Sequence, residues 1–302
     1  MIPRRETHAG RGCVPIRNTA PDSNPLLGPF LAQLLDESWK SYRKSRRRIR
    51  PRGGRRHVHR ARISARRLLT TLDLLAGLDG GHGLLEALRA LARQFSALGK
   101  LRDTQVQLRE LNELAISDSE RRPLRRSLKK KERRRCRSLT ASDVDDIGPQ
   151  IEKASARLAS GPATAASGRR LKSGLNRALR ADLERVNTLL PRGPGDLSRM
   201  HQARVAIKRY RYLIELLRPI LSGVDPGAIK RLRACQARMG QIHDVQLFME
   251  RLERWSAKGR LGEGELRELL TQLERRRRVL VSSFVRSTSQ PFPRLSPQVA
   301  AN

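Results

Sequence analysis

The sequence predicts an all-α fold, two tandem four-helix bundles related by an approximate two-fold axis, and three observations lead there. Apolar residues recur at three- and four-residue spacing along most of the 302 residues, while alternating strand-like stretches separated by turn pairs are missing. Clusters of Gly and Pro break the pattern at helix-length intervals. Three segments of the first half also return in order in the second, 141 or 142 positions on, which is how a duplicated structural unit shows itself.

Residues 1–24 are rich in Pro, Ser and polar residues and read as a flexible tail. The first repeat, 25–140, holds helical patterns at Leu27–Ile49, Val58–Leu75 and Leu84–Leu114, separated by Pro51-Arg-Gly-Gly54 and Gly77-Leu-Asp-Gly-Gly81. It closes on Arg121–Arg137, where eleven Lys/Arg surround the seam Leu124/Leu128/Leu139; such a run is ordinarily a solvated or disordered face. Small residues after an acidic start (Asp143, Asp145, Asp146) mark 141–166 as a connector with a short helix of its own. The second repeat, 167–287, has patterns at Leu171–Leu190, Met200–Leu221, Ile229–Trp255 and Leu266–Phe284, broken at Pro191–Gly195 and Gly223–Gly227. Asp196 or Ser198 is placed to cap the helix through His201, and Asp225 before Pro226 to open the next. Residues 288–302 again read as a flexible tail.

The repeat locates the chemistry. Val58-His-Arg-Ala-Arg-Ile-Ser-Ala-Arg-Arg-Leu68 returns as Met200-His-Gln-Ala-Arg-Val-Ala-Ile-Lys-Arg-Tyr210, and Leu98-Gly-Lys-Leu-Arg-Asp103 as Met239-Gly-Gln-Ile-His-Asp244. Leu128 with Glu132-Arg-Arg-Arg135 returns as Leu270 with Glu274-Arg-Arg-Arg277. Val58, Ala61, Ala65, Leu68, Leu72 and Leu75 make one apolar seam, and Met200, Ala203, Ile207, Tyr210, Ile214 and Leu217 its twin. One residue on, about 100° round each helix, come His59, Arg62, Arg66 and Leu69, and in the twin His201, Arg204, Lys208 and Arg211. The basic stripe therefore borders the buried seam and lines a groove or the mouth of a central cleft. Arg67 and Arg209 add a cation beside each stripe. A cation or His at every turn over roughly 15 Å suits a linear polyanion, with guanidinium forks gripping phosphate oxygens in pairs. A solvated helix face is the plainer reading of one Arg-rich helix, and the duplication is the argument against it. Arg135 and Arg277 fall beside apolar seams, where a buried Arg needs an acidic partner or an anion. Asp103 and Asp244 read as structural, pairing with a nearby basic side chain or capping a turn, and not as catalytic.

The overall charge agrees. Lys+Arg number 64 against 29 Asp+Glu, a formal +35, and the natural ligand of so basic a chain is a polyanion. Aromatic residues make up 3%, which argues against stacking many bases on rings. Cys13, Cys136 and Cys235 lack CxxC spacing, so neither a disulfide framework nor a Cys-based zinc site is expected. Without a signal-peptide pattern or a membrane-length apolar run, the expected location is the cytoplasm, with no membrane insertion.

The paired His-x-x-Arg-x-x-x-(Lys/Arg)-Arg segments at 59–67 and 201–211, with Leu98-Gly-Lys-Leu-Arg-Asp103, resemble the CHAD family (conserved histidine α-helical domain) over most of residues 25–287. The resemblance implies two helical bundles around a basic central cavity that binds inorganic polyphosphate, in bacteria often near polyphosphate granules. It places His59, Arg62, Arg66 and Arg67 on one wall and His201, Arg204, Lys208, Arg209 and Arg211 on the other. This chain departs from that pattern where Leu69 stands opposite Arg211 and His243 opposite Arg102, so unequal walls are expected.

No metal, cofactor or catalytic site is expected. His57-x-His59 has no carboxylate or Cys set to complete a metal site, and no Walker-type loop, nucleophile elbow or carboxylate cluster is visible. Cleaving a phosphoanhydride needs metal ligands or an activated nucleophile, and cationic stripes supply neither. The expectation is a non-enzymatic polyphosphate binder, with a non-specific nucleic-acid binder as the rival and a hydrolase with a hidden site as a third possibility.

Overall fold

The computed structural model describes residues 26–49, 54–79, 82–113, 118–141, 147–161, 164–190, 197–259, 261–288 and 298–299. These residues are almost wholly helical: α1 (Leu27–Arg47), α2 (Arg55–Asp79), α3 (His82–Glu113), α4 (Asp118–Ala141), α5 (Gly148–Ser160), α6 (Ala165–Leu189), α7 (Leu197–Leu217), α8 (Pro226–Ser256) and α9 (Glu263–Thr288). The all-α expectation holds. The expected N-terminal tail and the Asp196 cap lie outside the described residues, as does the side chain of Ser198. Asp225 does cap α8: its Oδ1 accepts from the Gly227 N–H at 2.7 Å, just before the helix runs on from Pro226. Thr164 caps α6 in the same way through the Ser167 N–H. The short helix expected in the connector is α5, and α1 packs along it. Gly28 makes that approach possible, because a Cβ there would stand 2.7 Å from the Leu158 carbonyl oxygen.

Each helix packs on its neighbour in sequence within α1–α4 and within α6–α9, and α2 meets α7 while α3 meets α8 across the two sets. Among the described residues the buried apolar side chains form two clusters, and each draws on both sets. The larger gathers α1, α2, α5, α6 and α7 with the N-terminal parts of α3 and α8 and the C-terminal ends of α4 and α9. The smaller is built where the far ends of two hairpins meet: Leu108, Leu111, Leu124 and Leu128 from α3 and α4, and Val245, Phe248, Leu252, Trp255, Leu269 and Leu273 from α8 and α9. Helix α3 runs from Leu98 and Leu101 in the larger cluster to Leu108 in the smaller, and α8 from Met239 and Ile242 to Phe248. Arg102, Asp103, His243 and Asp244 therefore sit at a polar waist between two cores.

One expectation changes at the C-terminal end. Residues 298–299 are anchored: Gln298–Val299 (β2) pairs antiparallel with Leu221–Ser222 (β1), and the Val299 N–H donates to Asn176 Oδ1 at 2.9 Å. Val299 is buried, so the pairing also places an apolar side chain in the larger cluster. The rest of the tail, 289–297 and 300–302, lies outside the described residues. No helix among the described residues is long and apolar enough to cross a membrane.

Candidate polyanion-binding cleft

Helices α2 and α7 bring the two basic stripes together at the waist. Their inward seams, Val58 to Leu75 and Met200 to Leu217, are buried as the spacing demands. The positions one residue later stand at the rim of the buried face: Arg62, Arg66, Arg204 and Lys208 are half-buried, and His59 is exposed at the N-terminal end of α2. Arg62 and Arg66 from the first half lie within electrostatic reach of Arg204 and Lys208 from the second. Asp103 faces Arg62, Arg135, Arg204 and Arg102, and Asp244 faces Arg204, Arg109, Asp103 and Arg102.

The site is partly desolvated and crowded with positive charge. Burial, then the neighbouring Arg204, Arg62 and Arg66, pushes the Lys208 ammonium down to about 7, with Asp244 opposing. Burial likewise lowers Arg62, Arg66, Arg102 and Arg204. The carboxyls of Asp103 and Asp244 are held above their usual range by burial, although arginines surround them. Partial burial of the ring, then Arg102 and Arg62, keeps His59 below its ordinary value, so its ring gains a proton most readily when an anion arrives. None of Arg62, Arg66, Arg204 or Lys208 makes an ion pair among the described residues. Arg62 Nη1 and Arg204 Nε are buried there with no hydrogen-bond partner, one from each half.

Aromatic and glycine neighbours aim the first wall. The Phe95 ring of α3 lies 5.1 Å from the Arg62 guanidinium carbon and 4.2 Å from that of Arg66, which orients both forks without consuming their N–H groups. Gly99, one turn further, lies beside Arg62 Nη1; a Cβ at 99 would stand 2.8 Å from it. At the equivalent Gly240 the space is open. Replacing Gly99 by Ala therefore displaces the Arg62 head and weakens anion binding several-fold, while Gly240→Ala leaves affinity unchanged. Both variants keep or slightly raise the melting temperature, because Ala favours an α-helix over Gly by up to about 1 kcal/mol. Calorimetric titration beside a thermal melt checks this, and equal affinities for the two variants would remove Gly99 from its assigned role.

The structure gives the other candidate residues different surroundings. Arg209 is turned away to bridge three helices, with Nη1 2.5 Å from Asp73 Oδ2 of α2 and Nε 2.7 Å from Asp182 Oδ1 of α6. Arg211 is buried against the Tyr212 ring; its Nη1 lies 2.6 Å from Glu215 Oε1 and its Nε donates to Gln236. An anion reaching either residue would have to break an ion pair that the fold already makes. Arg67 is half-buried and lies about 100° round the helix from Arg66. Arg135 donates to the Lys100 carbonyl and Thr104 Oγ1, linking α4 to α3, while also facing Asp103. Arg277 donates to Gln246 Oε1 at 2.8 Å and pairs with Glu274, linking α9 to α8. The side chain of His201 lies outside the described residues. Arg102, which in the sequence marks a departure from symmetry, joins the cleft cations beside Asp244, Arg62 and His59. The signal that could have found it is its place one residue before the repeated Asp103.

The described residues thus form an all-α scaffold with a cluster of half-buried cations between α2 and α7. The family model for the CHAD domain matches residues 33–253, and the chain belongs to that family, which is associated in general with polyphosphate binding. Among solved structures, the chain is similar to the CHAD domain from the plant Ricinus communis, with 18% identity, a TM-score of 0.64, and coverage of 96% of this chain and 100% of that one. It is also similar to PptA from Streptomyces chartreusis, at 19% identity and TM-score 0.62, covering 87% of this chain and 99% of that one. At these identities the likeness is one of fold. No curated protein matches.

Proposed function

We propose that the protein binds inorganic polyphosphate in the cleft between α2 and α7 and leaves it chemically intact. The observation that carries this reading is the pair of buried guanidinium donors without partners, Arg62 Nη1 and Arg204 Nε, facing the same waist from opposite halves. Unpaired buried donors and crowded like charges are unfavourable in the free protein, and a chain of phosphates relieves both at once. Arg62, Arg66, Arg204 and Lys208 form the core of the site, with His59 and Arg102 at its edge. Asp103 and Asp244 hold the cations at a set spacing. Among the described residues no group of three or more His, Cys, Asp or Glu side chains is placed to hold a metal, and the cleft holds no activated nucleophile that would attack a phosphoanhydride. In a cell the same chemistry would hold the protein to cytoplasmic polyphosphate granules.

The competing ligand is a nucleic-acid backbone, favoured by the exposed cations of α4, including Arg125, Arg126, Lys129 and Lys130. Competition at physiological salt separates the two. Long-chain polyphosphate is expected to displace labelled RNA at a lower phosphate concentration than RNA displaces polyphosphate, with affinity for both falling steeply as salt rises. Failure of polyphosphate to displace RNA would refute the reading.

A further inference from the structure

We propose that the far ends of α4 and α8 form a second phosphate-anion site, lined by Lys131, Arg134, Arg251 and Arg254, which lies beyond the cleft and does not depend on it. The argument is a broken symmetry. On one side of the molecule, α9 of the second half meets α3 of the first through Arg276, whose Nη1 lies 2.8 Å from Glu110 Oε2 and 3.3 Å from Glu113 Oε2. The repeat offsets, 141 from α3 to α8 and 142 from α4 to α9, give the corresponding contact on the other side. There Arg134 of α4 takes the place of Arg276, but Glu110 and Glu113 are replaced by Arg251 and Arg254 of α8. A junction closed by carboxylates on one side is built from cations alone at those three positions on the other.

The fold brings these cations together. Helices α4 and α8 share the smaller core through Leu124, Leu128, Phe248, Leu252 and Trp255. Lys131 occupies the position that Leu273 fills in the second half, where the side chain is buried in that core. Its ammonium is pushed down to about 8, first by burial and then by Arg251, Arg135, Arg254 and Arg134, so the four arginines face it. Arg251 lies over the Trp255 ring at 5.4 Å, and Arg254 donates from Nε to the Glu250 main-chain carbonyl at 2.9 Å, with the Glu250 carboxylate 3.9 Å from its Nη2 on the exposed rim. Guanidinium forks from two helices around a partly desolvated lysine present donors suited to phosphate oxygens.

The test variant gives α8 the residues that α3 already carries. Arg251→Glu with Arg254→Glu offers Arg134 the carboxylates that Arg276 has, so the melting temperature is expected to hold or rise. Titrated with tripolyphosphate by calorimetry, the unaltered protein is expected to show two binding events and the variant one. With long-chain polyphosphate, an affinity loss of about tenfold means that one chain spans both sites. Unchanged long-chain affinity with the short-chain event lost means that a separate anion occupies this one. Unchanged tripolyphosphate stoichiometry in the folded variant overturns the proposal. Should that variant fail to fold, Lys131→Leu with Arg134→Gln is read in the same way. The cleft reading fails separately: in Arg204→Glu with Lys208→Glu it predicts loss of the other event, so binding that survives there and vanishes only with the α8 changes would leave this site alone standing.

Discussion

Arg204→Glu combined with Lys208→Glu is expected to abolish binding of long-chain polyphosphate while the circular dichroism spectrum stays helical. The two side chains stand on α7 opposite Arg62 and Arg66, and their exchange for carboxylates removes two charge-assisted contacts and adds two repulsive ones. Each charged hydrogen bond is worth about 1.5–3 kcal/mol, so the loss of affinity exceeds roughly 100-fold even before repulsion is counted. The fold should survive, because the two apolar clusters are untouched and Arg62, Arg66 and Arg102 offset the new carboxylates, which stand beside Asp103 and Asp244. Arg62→Glu with Arg66→Glu on the facing wall should do the same. Binding that persists in either folded variant, measured by calorimetry at fixed salt, would show that the cleft is not the site.

Arg209→Met should have the opposite profile, with stability lost and polyphosphate affinity kept within about twofold, since Arg209 makes no contact in the cleft. Asp182 is 7% exposed, and Arg209 is the cation that both Asp182 and Asp73 share. Removing it leaves a nearly buried carboxylate without its partner, which costs about 2 kcal/mol. Urea denaturation and a polyphosphate titration on the same sample give the two numbers. A variant of normal stability and weakened affinity would return Arg209 to the binding wall.

Arg209 shows where sequence reasoning stops. The helices, their order and the duplicated His-x-x-Arg pattern were legible because helical periodicity and repetition are local properties of a chain. Spacing alone also placed Arg62, Arg66, Arg204 and Lys208 at the border of a buried seam, since one residue is about 100° of helix. Arg209 is only one residue from Lys208, yet Asp73 and Asp182 claim it from helices that are distant in sequence. Arg211 continues the stripe in the sequence and is drawn instead to Glu215 and Gln236. The repeat itself concealed the reverse case. Glu110 and Arg251 occupy equivalent positions, and that difference became informative only once Arg276 was seen to reach across to the other half.

The sequence by itself therefore determined an all-α, duplicated and strongly basic chain, with the helix faces on which its cations must lie. Tertiary structure decided which of those cations are neutralised. Helix periodicity sets the direction in which a side chain leaves its own helix, but an ion pair depends on what other helices bring within about 4 Å. That partnering turns Arg209, Arg211 and Arg277 into struts and leaves Arg62 Nη1 and Arg204 Nε at the waist as buried donors that no acceptor among the described residues engages.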